Sequence, residues 1–116
     1  MERPWQITTE EEWAALCSEV ARTASGILDG SIDLISGARL LTRLSDKLHA
    51  DRDPDFITFI GIDSETDRFP VGDVRRHWDP QALAKYDAER EQVEQHYRPC
   101  GLESARKLIA KYARKI

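Results

Sequence analysis

Three observations predict an all-α fold. Apolar residues recur at intervals of three and four over most of the 116-residue chain, the period that gathers side chains on one side of a helix. Helix-start signals, Thr with a following Glu or Asp before Pro, stand at three points. Only one short stretch, 56–62, has the β-branched and aromatic content of a strand, and no second strand is in evidence to pair with it. The expected architecture is a single-domain bundle of four to five helices over 1–116 with an ordered acidic loop, a short strand at 56–62 being the alternative to a helix there.

A chain of 116 residues holds one core and not two. No run approaches the roughly 18 apolar residues needed to span a bilayer, and MERPWQITTEEE lacks the basic start and apolar centre of a signal peptide. A cytoplasmic protein without membrane contact is therefore expected. Residues 1–97 carry 11 basic and 20 acidic side chains, whereas 98–116 carry 6 and 1, so an acidic body precedes a basic tail. The acidic body repels phosphate backbones and argues against nucleic acid as a partner. Cys17 and Cys100 match no metal-ligand or redox spacing, and reduced thiols are expected.

The first helix begins where Thr8 with Glu11, or Thr9 with Glu12, can form a capping box. Trp13, Leu16, Cys17, Val20, Ala24, Ile27 and Leu28 make its inward stripe. Asp29-Gly30 supplies a C-terminal stop, with Ser31 placed to cap the next helix in a tight hairpin. Ile32, Ile35, Ala38, Leu41, Leu44 and Leu48 form the second stripe, widened by Leu34 and Leu40, and small Gly37 and Ala38 invite close approach of a neighbour.

Asp53-Pro54 and Asp79-Pro80 each read as an N-cap followed by a first-turn proline. After Asp53, FITFIGI is read as a short buried helix with Phe56, Phe59 and Ile60 on one face, and Gly61 as a point of close contact. DSETDRFPVG has the density of turn residues of an ordered loop, with one helical turn in VGDVRRHW. From Pro80 a helix is expected to about Tyr97, with Ala82, Leu83, Tyr86, Val93 and Tyr97 inward. Pro99 and Gly101 should break it before a last basic helix bearing Leu102, Ala105, Leu108, Ile109, Tyr112 and Ile116 on one side and Arg106, Lys107, Lys111, Arg114 and Lys115 on the other.

The chemistry-bearing residues crowd into 63–78. Asp63, Glu65 and Asp67, like Asp51, Asp53 and Asp55, alternate as calcium-loop ligands do. Such a loop needs Gly at its sixth position and Glu at its twelfth; the first series has Arg68 and Val74 there, the second Phe56 and Ile62. Asp63, Glu65, Asp67 and Asp73 with His77 make a looser magnesium or manganese site conceivable. The simpler expectation is that Asp63 and Glu65 pair with Arg68, Arg75 or Arg76. Arg75 and Arg76, beside His77 and Trp78, suit a carboxylate or phosphate, although neighbours on a helix diverge by about 100° and would not share one ligand. Cys100 at an expected helix start has the setting of a reactive thiol but no assured base, while Cys17 reads as packing. No cofactor motif is present.

The run FIGIDSETDRFPVGDVRRHWDPQAL is similar to segments of small bacterial proteins of unassigned function. That resemblance implies a bacterial origin and carries no activity. The leading expectation is a non-enzymatic protein-binding module whose acids Asp63, Glu65, Asp67 and Asp73, with Arg75, Arg76, His77 and Trp78, meet a basic partner, as in a toxin-neutralising immunity protein. A small metal-dependent hydrolase using the 63–77 cluster, and a structural homodimer closed over Leu34 and Leu40, are the alternatives.

Overall fold

Helices account for all regular structure in the computed structural model, which describes residues 3–70 and 72–113; no strand occurs among them. Four α-helices, α1 (Glu10–Asp29), α2 (Leu34–Lys47), α3 (Pro54–Thr66) and α4 (Pro80–Tyr112), run in alternating directions, and a 3₁₀ helix (Gly72–His77) precedes the last. Each α-helix packs on its neighbours in chain order, and α4 closes the ring against α1. One core fills the space between them, built from Val20, Leu41, Phe56, Phe59, Ile62 and Leu108 among others.

Most of the helix boundaries follow from local chemistry. Of the two possible caps on α1, Thr9 is used, accepting the Glu12 amide at 3.1 Å, and Gly30 ends the helix with φ +86°. Asp53 caps α3 by accepting the Asp55 amide at 2.9 Å, and Asp79 caps α4 by accepting the Ala82 amide at 3.2 Å. The hairpin differs in its second cap. Asp33, not Ser31, accepts the Ser36 amide; Ser31, two residues earlier, has its amide on Asp29 and its hydroxyl directed to the Gly26 carbonyl. At the far end of α2, His49 takes φ +54°, the left-handed position after a helix end that glycine usually fills.

The stretch 56–62 is helix, and α3 carries on through residues expected in a loop. Thr66, fully buried, donates its hydroxyl to the Ile62 carbonyl at 2.6 Å. Arg39 of α2 then donates one Nη to the carbonyls of Thr66 and Phe69 at 2.7 and 2.8 Å, a cation placed on the negative end of the helix dipole. The irregular segment shrinks to a few residues before the 3₁₀ helix.

The larger correction concerns Pro99 and Gly101, which do not break the chain: α4 runs unbroken through both for 33 residues. Pro99 and Gln95, the residue whose carbonyl loses its helical partner, are both exposed, so water can serve that carbonyl. Gly101 is buried, and a Cβ there would lie 2.8 Å from Leu34 Cδ1. Its lack of a side chain therefore serves packing rather than termination. Leu34 is covered within the chain, whereas Leu40 is 41% exposed. Arg114 and Lys115, expected on the basic side of the last helix, and Ile116, expected on its apolar side, lie outside the described residues.

At about 1.5 Å per residue, α4 is roughly 50 Å long and sets the 48 Å dimension of the molecule. Its buried residues, Gly101, Ser104, Ala105, Leu108 and Tyr112, all lie in the C-terminal part. The preceding 21 residues, Pro80–Cys100, contain none. On one side that half is covered by the segment 67–79, through Phe69 and Trp78, whose rings meet Tyr86 edge-on at 6.0 and 5.2 Å; on the other, Arg90 pairs with Asp33 at the start of α2, and Tyr97 packs half-buried against the core.

The glycines give a paired test. A Cβ on Gly37 would fall 2.4 Å from Ile27 Cδ1, in a core where overpacking typically costs about 1–3 kcal/mol. A Cβ on Gly61 meets nothing within 4 Å, so the expected close contact is not made there. Gly61→Ala should raise stability by about 0.5–1 kcal/mol through helix propensity, and Gly37→Ala should lower it, as read by urea denaturation.

Candidate functional site

The acids and arginines of 63–78 are dispersed rather than gathered. Asp63 lies on α3 with Arg39 Nε at 3.6 Å, and Glu65, two residues on, instead accepts the Tyr97 hydroxyl of α4. Asp67 is the exposed C-cap of α3. Asp73, with its side chain 95% exposed, has only Arg76 at 3.8 Å. Arg75 forms a bidentate pair with Asp87 of α4, both contacts 2.8 Å, and also donates to the Pro70 carbonyl. His77 is exposed, and Trp78 is half-buried against Tyr86. The expected partners Arg68 and Arg75 are taken by Glu89 and Asp87. Among the described residues no group of three His, Cys, Asp or Glu side chains converges as metal ligands do.

Arg75 alone of that set lines a groove of about 460 Å³ between α4, the 3₁₀ helix and the start of α2. A chain of alternating charges lines it. After Arg75 and Asp87 comes Arg90, which pairs with Asp33 of α2 and with Glu94 at 3.3 Å; Glu94 in turn has Arg98 at 3.7 Å. Arg90, Glu94 and Arg98 are four residues apart on one helix face, a spacing open to sequence reading. Asp33 and Asp87 enter by tertiary placement, which no local pattern reveals. Arg39 was missed for the same reason.

Proton affinities follow these contacts. Burial pushes the Asp33 carboxyl up, but the hydrogen bonds from Ser36 and the adjacent Arg90 outweigh it and hold the group below its ordinary 3.8. The Arg75 hydrogen bonds hold Asp87 below the same value. The Glu65 hydrogen bond, more than burial, raises Tyr97. At the opposite end of α4, Lys111 donates at 2.8 Å to both Asp53 and the buried Asp55. Burial there lowers the ammonium, and the two carboxylates more than reverse it, keeping Lys111 charged beyond its ordinary range. Burial also raises Tyr112.

Both thiols are accounted for by position. Cys17 is buried. Cys100 lies in mid-helix, its Sγ 3.2 Å from the Tyr97 carbonyl, so the free amides of a helix start are not beside it. His96 stacks edge-on with Tyr97.

With the geometry in view, comparison with known proteins adds no relative: the chain matches no family model, no curated protein and no solved structure at a significant level.

Two measurements check these electrostatics. Asp33 and Asp87 have folded-state values below 3.8, so their stabilising effect is present above that pH and is lost as pH falls through the lowered values. Carboxyl NMR titration should show both midpoints below those of exposed acids, with amide exchange in 80–100 rising at the acid end. Lys111→Met leaves Asp55 buried without its cation and should cost about 1–3 kcal/mol at neutral pH, read by chemical denaturation.

Proposed function

We propose that the chain is a non-enzymatic protein-binding module of a bacterial cytoplasm, and that the N-terminal half of α4 with the segment 67–79 is its docking surface. One observation carries this reading. Pro80–Cys100, 21 residues of helix, are held in place without a fully buried side chain; their inward residues Ala82, Leu83, Tyr86 and Val93 are half-buried, and Tyr97 packs half-buried against the core. A helix whose inward stripe is only half-buried owes part of its persistence to ion pairs or to a partner. Here aromatic contacts and ion pairs present it along an otherwise open side.

The charge on that surface suits a basic partner, as a toxin-neutralising protein would need. Asp67 and Glu91 have no ion pair among the described residues, and Asp73 has only its contact with Arg76. Uncompensated acids of this kind speed encounter with a basic surface and disfavour acidic competitors. Compared with the original cluster, Asp63 and Glu65 become internal ties, while Asp67, Asp73 and Glu91 become the surface that a partner meets. Among the described residues the carboxylates of 63–77 do not gather in threes as metal ligands, which favours this reading over a metal-dependent hydrolase, whose ligands must converge on one point.

The test is capture of the partner from the encoding organism, followed by binding kinetics with the purified pair. Asp67→Asn, Asp73→Asn and Glu91→Gln combined should slow association by about tenfold or more at low salt and flatten its salt dependence. Unchanged association and an unchanged salt profile would remove the proposal.

A further inference from the structure

The polar groove does not end at Arg98. It continues into a smaller recess of about 140 Å³ in which Ile27, Ile32, Leu34 and Leu102 supply the apolar walls, while Asp33, Glu94 and Arg98 line both spaces. A cavity of about 150 Å³ is known to hold a benzene-sized group, so the recess has room for one aliphatic side chain. Arg98 stands at the junction.

Of the three groove arginines, Arg98 is the one with capacity to spare. Arg75 is bidentate on Asp87 at 2.8 Å, and Arg90 is shared between Asp33 and Glu94. Arg98 has only Glu94, at 3.7 Å, a carboxylate that Arg90 already engages, and its side chain is 53% exposed. A guanidinium fork in this position matches an incoming carboxylate bidentately, and engaging it strips no buried group of its partner. Three arginines and four carboxylates line the groove, a net charge of −1, so the anion meets one fork rather than a basic patch. Seven residues earlier on α4, at the other side of the groove, Glu91 has no cation among the described residues.

We infer that the groove receives the C-terminal tail of a partner protein, with the terminal carboxylate on Arg98, an aliphatic last side chain in the recess, and a basic side chain three residues earlier on Glu91. The spacing agrees: seven helical residues rise about 10 Å, and three residues of extended peptide span about the same distance. Opposite charges at the two ends also fix the direction of the tail. The inference rests on the protein-binding reading and specifies the partner's recognised feature.

The probe is the peptide acetyl-Lys-Ala-Ala-Leu with a free carboxylate, titrated into the full chain and followed by amide chemical shifts and calorimetry. Shift changes are expected around Ile32, Leu34 and Leu102, with the C-terminal amide of the same peptide binding about tenfold more weakly or worse. Arg98→Gln should abolish the preference for acid over amide, and Arg98→Lys should restore part of it. Glu91→Gln should weaken the Lys peptide but leave one with Ala in place of Lys unaffected. Equal binding of acid and amide, or no shift in the recess at millimolar peptide, overturns the inference. If the captured partner still depends on Asp67 and Asp73 in that event, protein binding stands and only C-terminal recognition fails.

Discussion

The long helix depends on one close approach. Where α4 passes α2 and α3, the absence of a side chain at Gly101 lets Leu34 Cδ1 come within 2.8 Å of the position a Cβ would take, with Ile62 next to it. From that point Ser104 reaches Thr58 by a 2.9 Å hydrogen bond, and Leu108 and Tyr112 enter the core, Tyr112 edge-on to Phe56 at 5.6 Å. Anchoring the C-terminal part of α4 fixes the direction of everything before it. The N-terminal part of the helix then follows a course set by packing some distance away.

Electrostatics completes what packing begins, on a weaker scale. Half-exposed ion pairs contribute little each, and those along α4 do more to orient than to stabilise. Glu65 with Tyr97, Arg68 with Glu89, and Arg75 with Asp87 bind one side of the helix to the segment that precedes it, while Asp33 with Arg90 binds the other side to α2. Lys111 is different in kind, because one of its two carboxylates, Asp55, is buried. Its raised proton affinity keeps that tie intact well above neutral pH, since the contribution of a group with a raised value is lost only as pH climbs through it.

Helix starts were legible because the signal is local. Thr9, Asp53 and Asp79 each satisfy an amide two or three residues on, and the stripes of α1 and α2 face the core as their spacing implies. Helix ends were read less well, since what ends α3 is Arg39, 27 residues earlier in the chain, and what permits α4 to continue past Pro99 is the solvent on that face. Ser and Asp compete for caps within a few residues, and tertiary fit selected Asp33 over Ser31. Within the site, charge type was apparent but charge pairing was not. Arg75 was identified, while its partner Asp87 and the neighbouring Asp33 became visible only when the fold brought three elements to one groove.

The division of α4 into an anchored part and an open part bears on how such a chain can change over generations. A substitution at Leu108 or Ala105 disturbs the core and so threatens the whole molecule. One at Gln81, Ala88, Gln92 or Gln95 alters an exposed helical surface, where replacements by good helix formers cost almost nothing. The surface of that part can therefore drift while folding is conserved. A lineage carrying this architecture is free to vary some 30 Å of helical surface without re-solving the problem of how to fold.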